Sequence, residues 1–131
     1  MIPIISCLIT PDSLIEYRAC IEHQKIIEHV IYWRPIVEEY FDTDDVAKAL
    51  TVIYCESSGY SSARNENTNF TRDIGLWQFN DNTWSWLEKK LKFNGSRFNP
   101  RLSTQIASWL IYNDGWHHWN SSKHCWGKYE Y

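Results

Sequence analysis

Residues 56–80 read ESSGYSSARNENTNFTRDIGLWQFN. A carboxylate, Glu56, opens this stretch at the end of an apolar run. Residues 60–72 follow, polar and rich in Asn, Ser and Thr. Asp73 then stands at the border with a short apolar island, GLWQF at 75–79. The run before Glu56 contains Ala49, Leu50, Val52, Ile53 and Tyr54, apolar on most sides of a helix, so it is expected to be the central buried helix. A carboxyl at the C-terminal end of such a helix faces the negative end of the dipole and a desolvating environment. Both disfavour its charge and raise its pKa. A carboxyl that keeps its proton near neutrality can serve as a general acid. Taken alone, Glu56 also reads as an ordinary solvated helix-end carboxylate.

Asp73, 17 residues further on, changes that balance. One carboxyl in apolar surroundings and one in polar surroundings form the pair that cleaves glycosidic bonds. The first protonates the leaving oxygen, and the ionised partner attacks or stabilises the oxocarbenium-like carbon. The chain has 16 acidic residues and therefore many such pairs, so spacing alone proves little.

Working outward, local signals mark helices on both sides. Thr10-Pro11 offers an N-cap followed by proline, and apolar residues from Leu14 to Ile31 fit one or two amphipathic helices ending near Pro35. Pro35 can restart a short helix through Phe41. Thr43-Asp44-Asp45 starts the helix that leads to Glu56, and Gly59 is a plausible stop. The polar residues 60–72 read as loop or short antiparallel strands. Residues 84–91 suggest a short helix capped by Asn82 or Thr83. Asn99-Pro100 starts another, with Leu102, Ile106, Leu110 and Ile111 along one face and Asp114-Gly115 at its end. The expected fold class is α+β, mostly helical, with a small β element forming one wall of a cleft. One domain is expected over 1–131, with N-terminal helices in 1–42 and the chemistry in 43–131.

Composition narrows the partners. With 13 basic and 16 acidic residues the net charge is −3, so nothing favours phosphate neutralisation and no nucleic-acid partner is expected. The longest apolar run, residues 2–9, is far short of the roughly 20 residues a spanning helix needs. No cation precedes it, which argues against a secretory signal. Cys7, Cys20, Cys55 and Cys125 allow three pairings if all are bridged, or they are buried thiols. A Cys55–Cys125 bond would tie the Glu56 helix to the 116–119 turn. No CxxC pair is present, and no second cluster completes a ligand set around His117, His118, His124 and Cys125. Adjacent histidines are expected to point apart, so neither a metal nor another cofactor is expected.

Residues 56–80 resemble the active-site segment of c-type (chicken-type) lysozymes: a Glu-Ser start, an A-x-N-x-N-T loop, then D-x-G-x-x-Q-x-N. Ala63, Asn65, Asn67, Thr68, Asp73, Gly75, Gln78 and Asn80 fall in register without a gap. The resemblance implies Glu56 as the general acid and Asp73 as nucleophile or electrostatic partner. It implies that Asn67 and Asn80 hydrogen-bond that aspartate and nearby sugar hydroxyls, with Gln78 beside the cleft. Trp84 matches the second of two cleft tryptophans, and Thr83 replaces the first. Residues 115–119, GWHHW, are similar to the family's G-M-x-A-W. On that match Trp119 packs against the acid, and the His118 backbone carbonyl contacts substrate. The family's eight-cysteine framework is absent, and the four cysteines fall elsewhere. The Glu-Ser and Gly-Leu-x-Gln skeleton is also similar to lytic transglycosylases, which use one catalytic Glu. The chain therefore reads as a divergent lysozyme-like protein.

The eight tryptophans divide between core and cleft. Trp77 and Trp109 lie in apolar stretches and are expected in the core. Trp84, Trp116 and Trp119 are expected near the cleft, where indoles can pack on sugar C–H faces. The implied activity is hydrolysis of the β-1,4 bond between N-acetylmuramic acid and N-acetylglucosamine in peptidoglycan glycan strands. The rivals are a lytic transglycosylase using Glu56 alone and a non-catalytic glycan-binding or virion structural protein. The expected setting is extracellular, or virion-associated and released at lysis. A monomer is expected.

Overall fold

The computed structural model describes Cys7 and residues 13–131. The Thr10-Pro11 start lies outside the described residues. Within them the first helix, α1 (Leu14–Ile31), begins at Ser13, whose hydroxyl accepts from the Glu16 N–H. Cys7 is disulfide-bonded to Cys20 on this helix. A turn at Tyr32 and Trp33 leads into α2 (Arg34–Tyr40), with Pro35 in its first turn as the sequence suggests. A 3₁₀ turn (Thr43–Asp45) then feeds α3 (Val46–Ser57).

Helix α3 is the centre of the molecule. Val46, Ala49, Leu50, Thr51, Val52, Ile53 and Ser57 on it are all buried. It contacts α1, α2 and the C-terminal residues 116–126. Its end is fixed from outside: the Trp33 indole N–H donates to the Gly59 carbonyl at 2.7 Å. Gly59 has φ +81°, and a Cβ there would lie 2.7 Å from the His29 backbone carbon. Only glycine allows α1 to cross so close to the exit of α3.

The polar run 60–72 contains the first strand and the start of the second in a three-stranded antiparallel sheet: β1 (Arg64–Glu66), β2 (Arg72–Ile74) and β3 (Phe79–Asn80), in that order. The sheet is too small to stand alone. Arg97, nearly buried at 11% exposure, donates to the Phe79 and Arg72 carbonyls and pairs with Asp81 at 2.7 Å. One guanidinium thus ties two strands to the start of the next helix.

The next helix, α4 (Asp81–Leu91), begins three residues earlier than the apolar pattern implies, and its cap is Asn80 rather than Asn82 or Thr83. Helix α5 (Pro100–Asp114) has the expected cap: Asn99 Oδ1 accepts from Leu102 N–H at 3.1 Å. Gly115, with φ +86°, turns the chain into a 3₁₀ segment (Trp116–Ser122), and α6 (Lys123–Trp126) follows. The result is the mostly helical α+β architecture expected, with the sheet beside the end of α3. Among the described residues, no helix is long and apolar enough to cross a membrane.

Candidate active site

Glu56 sits in the last turn of α3. Ser58, in the left-handed region at φ 54°, and Gly59 stop the helix just beyond it. Its neighbour Cys55 is bonded to Cys125 of α6, with Cα atoms 5.9 Å apart. That bond spans 70 residues, and tethering so long a loop restricts the unfolded chain by about 4 kcal/mol. It anchors the Glu56 turn to the segment just after Trp119. Of the possible pairings, the structure contains Cys7–Cys20 and Cys55–Cys125.

Glu56 opens into a cleft of about 180 Å³ that it shares with Asp73, Trp77, Gln78, Phe79, Asn80, Thr83, His118, Trp119 and Ser121. Burial is the main force on its proton, and the negative charge of Asp73 acts in the same direction. Together they push the Glu56 pKa up to about 7, against a hydrogen bond with Ser122 that favours the ionised form. Ser122 is buried and follows directly on the 116–121 turn. No motif in the sequence singled it out, because its role depends on a fold that brings residue 122 back to residue 56.

Asp73 is held by a polar lattice. Its partner across the β1–β2 ladder is Asn65, and across β2–β3 it is Asn80. Asn80 Nδ2 donates to Asp73 Oδ1 at 3.0 Å and to the Thr71 hydroxyl at 2.8 Å, while its Oδ1 caps α4 through Asn82 N–H. One side chain therefore joins the carboxylate, the sheet and the helix. Asn80→Ala is expected to lower stability by about 1 kcal/mol, the usual cost of losing an N-cap side chain. The check is a lower urea midpoint at unchanged m-value; an unchanged midpoint would show the cap to be idle.

Gln78 adopts φ 52°, and its side chain locks that turn. Nε2 donates to the Ala63 and Gly75 carbonyls, and Oε1 accepts from Asn65 Nδ2 at 2.6 Å. Trp119 is buried at 4% exposure. Its indole N–H donates to the Trp77 carbonyl at 2.9 Å, and its ring meets Trp77 and Phe79 edge-on. The cleft therefore has an apolar back wall of rings and a polar front of Asn, Gln, Thr and Ser.

The structure does not bring every expected residue to this cleft. Asn67 does not reach Asp73. Register puts Asn65 opposite Asp73, so Asn67 falls two residues on, at the hairpin end, where its Nδ2 donates to the Thr71 hydroxyl at 3.2 Å. Trp84 does not face the cleft either. Trp84 lies on the buried face of α4 with Leu87, is 5% exposed, and its indole N–H donates to the Gly95 carbonyl. Thr83, one residue earlier, lines the cleft instead. Trp116 is also absent from the cleft lining; it packs against Phe41 and Trp126, with the Lys48 ammonium 4.5 Å above its ring. Trp77 is fully buried as expected, whereas Trp109 is only partly buried. His117 and His118 do not point apart: both Nε2 atoms approach the Asp114 carboxylate.

A larger cavity, about 540 Å³, lies against α5 and is lined by Tyr40, Phe93, Leu102, Trp109 and Tyr112 among others. It contains no carboxylate and shares no residue with the Glu56 cleft. Size favours the larger cavity, but the paired carboxyls favour the smaller one as the seat of acid–base chemistry.

A family model described as Transglycosylase SLT domain matches residues 37–122, about two thirds of the chain. The chain belongs to this family. No curated protein and no solved structure matches it. As a transglycosylase SLT domain it is a peptidoglycan-cleaving enzyme of the lysozyme-like superfamily. The SLT match extends from α2 to Ser122, so it takes in Glu56, Asp73 and every residue lining their cleft.

Proposed function

We propose that this protein is a muramidase, hydrolysing the β-1,4 bond between N-acetylmuramic acid and N-acetylglucosamine in peptidoglycan. The supporting observation is a carboxyl that holds its proton to about pH 7 in the same cleft as a second carboxylate, which accepts a hydrogen bond from the Asn80 amide. Glu56 donates its proton to the glycosidic oxygen as the bond breaks. Asp73, oriented by Asn80, stabilises or attacks the carbon on which positive charge develops. Glu56, now ionised, takes a proton from the incoming water and is restored. Gln78, His118 and Thr83 border the glycan, and Trp119 limits water around Glu56. Both disulfides fit action outside a reducing cytoplasm, either as an extracellular enzyme or as one carried on a virion and released at lysis.

The family match favours a second reading, a lytic transglycosylase in which Glu56 acts alone. There the muramic acid's own C6 hydroxyl replaces water, and Asp73 is dispensable. Mass spectrometry of digested peptidoglycan separates the two, because the 1,6-anhydro product is lighter by one water. Hydrolysis predicts reducing-end muramic acid, and it predicts that Asp73→Ala loses at least about 100-fold in rate, the low end for removing an electrostatic stabiliser of developing charge. Anhydro ends, with full activity in Asp73→Ala, would establish the one-carboxylate mechanism instead.

A further inference from the structure

We propose that Asp114, His117 and His118 form a binding site for a divalent transition-metal ion of the zinc class. Helix α5 ends at Asp114, and Gly115, at φ +86°, reverses the chain. The 3₁₀ segment that follows folds the two histidines back over the helix end. His117 Nε2 lies 3.2 Å and His118 Nε2 2.7 Å from the same oxygen, Asp114 Oδ2. The imidazole rings are 4.2 Å apart, centroid to centroid, with planes inclined by 33°. All three donor atoms fall within 4.8 Å of one another.

That spacing suits an ion. Zinc–ligand bonds of about 2.0–2.2 Å place neighbouring ligand atoms of a tetrahedral site roughly 3–3.5 Å apart. The two histidine donors already lie about the carboxylate oxygen, and modest side-chain adjustment brings all three to tetrahedral spacing. Two imidazoles and one carboxylate match zinc, nickel or copper; magnesium and calcium demand oxygen donors. Three protein ligands leave a coordination position for water. His117 and Asp114 are each 55% exposed, so an ion has access from solvent. The same three groups satisfy one another by hydrogen bonds, and the ion replaces those bonds. His118 also lines the Glu56 cleft, so an occupied site stands at its rim. This inference does not depend on the catalytic roles proposed above.

Calorimetric titration of the chelator-stripped protein with zinc chloride is the test. The expected result is one ion per chain with a micromolar dissociation constant, and no heat from magnesium at the same concentration. His117→Ala and Asp114→Asn should each weaken zinc binding by more than about 100-fold, beyond the roughly 10–100-fold loss on removing a residue that only orients a ligand. His124→Ala should bind as the parent does. Imidazole ¹⁵N resonances of His117 and His118 should shift on zinc addition. Absence of zinc binding would overturn the proposal. So would a His117→Ala protein that binds zinc as tightly as the parent.

Discussion

A Glu56→Gln protein is expected to fold and to lose peptidoglycan cleavage by roughly 10²–10⁴-fold, the contribution typical of a positioned general acid. Gln keeps the shape and hydrogen-bonding reach of the carboxyl but has no acidic proton to donate. The same substitution should stabilise the fold at alkaline pH. Glu56 has a folded-state pKa raised from 4.5 to about 7. Its protonated form is therefore the one the fold accommodates. The stability it contributes is fully present below about pH 4.5 and is lost as pH rises through about 7. The full cost of ionising it is about 3 kcal/mol. Gln cannot ionise, so variant and parent should have similar melting temperatures at pH 4, and a difference in favour of Gln should open as pH rises and be complete above about pH 7. Clearing of a cell-wall suspension measures the first effect, and calorimetry across pH measures the second. A variant that clears walls at the parental rate would remove Glu56 from the mechanism. Equal stability at pH 8 would show that its environment is wetter than the structure indicates.

Trp119→Ala is expected to cost about 3–5 kcal/mol, the range for truncating a buried aromatic residue. It removes a ring packed on Trp77 and Phe79 and leaves the Trp77 carbonyl without its indole donor. The functional consequence is electrostatic. Burial is the largest cause of the raised Glu56 pKa. Water admitted where the indole stood should return that pKa toward the ordinary carboxylate range. The alkaline limb of the activity profile should then move to lower pH, because the acid loses its proton sooner. Trp119→Phe keeps a ring in the core and provides a variant that folds if Ala does not. It should show a smaller shift in the same direction. An unchanged alkaline limb in a folded variant would mean that another wall shields Glu56.

Much of this arrangement is legible locally. The Asn99-Pro100 start of α5 and the proline-led α2 follow from interactions within a few residues. The polar stretch 60–72 reads as loop or short antiparallel strands, and it contains β1 and the start of β2. Where the reading slipped, a distant partner intervened. The α4 start moved to Asp81 because Asn80 had a cap to provide and Arg97 held Asp81 from 16 residues away. Within α4, Trp84 falls on the buried face with Leu87 while Thr83 borders the cleft. Asn67 lost its expected contact through ladder register, which no single-strand pattern specifies.

The chain's own residues carried the fold class, the order of helices, the family resemblance and the candidacy of Glu56 and Asp73. These rest on caps, hydrophobic periodicity and a gapless motif, all of which are properties of neighbours in sequence. Tertiary structure alone assigned the two disulfides, sorted the tryptophans, brought Ser122 to Glu56 and turned His117 and His118 onto Asp114. It also set the proton affinity of Glu56. Each of these depends on burial or on distance between residues far apart in the chain, and those quantities exist only once the helices have packed.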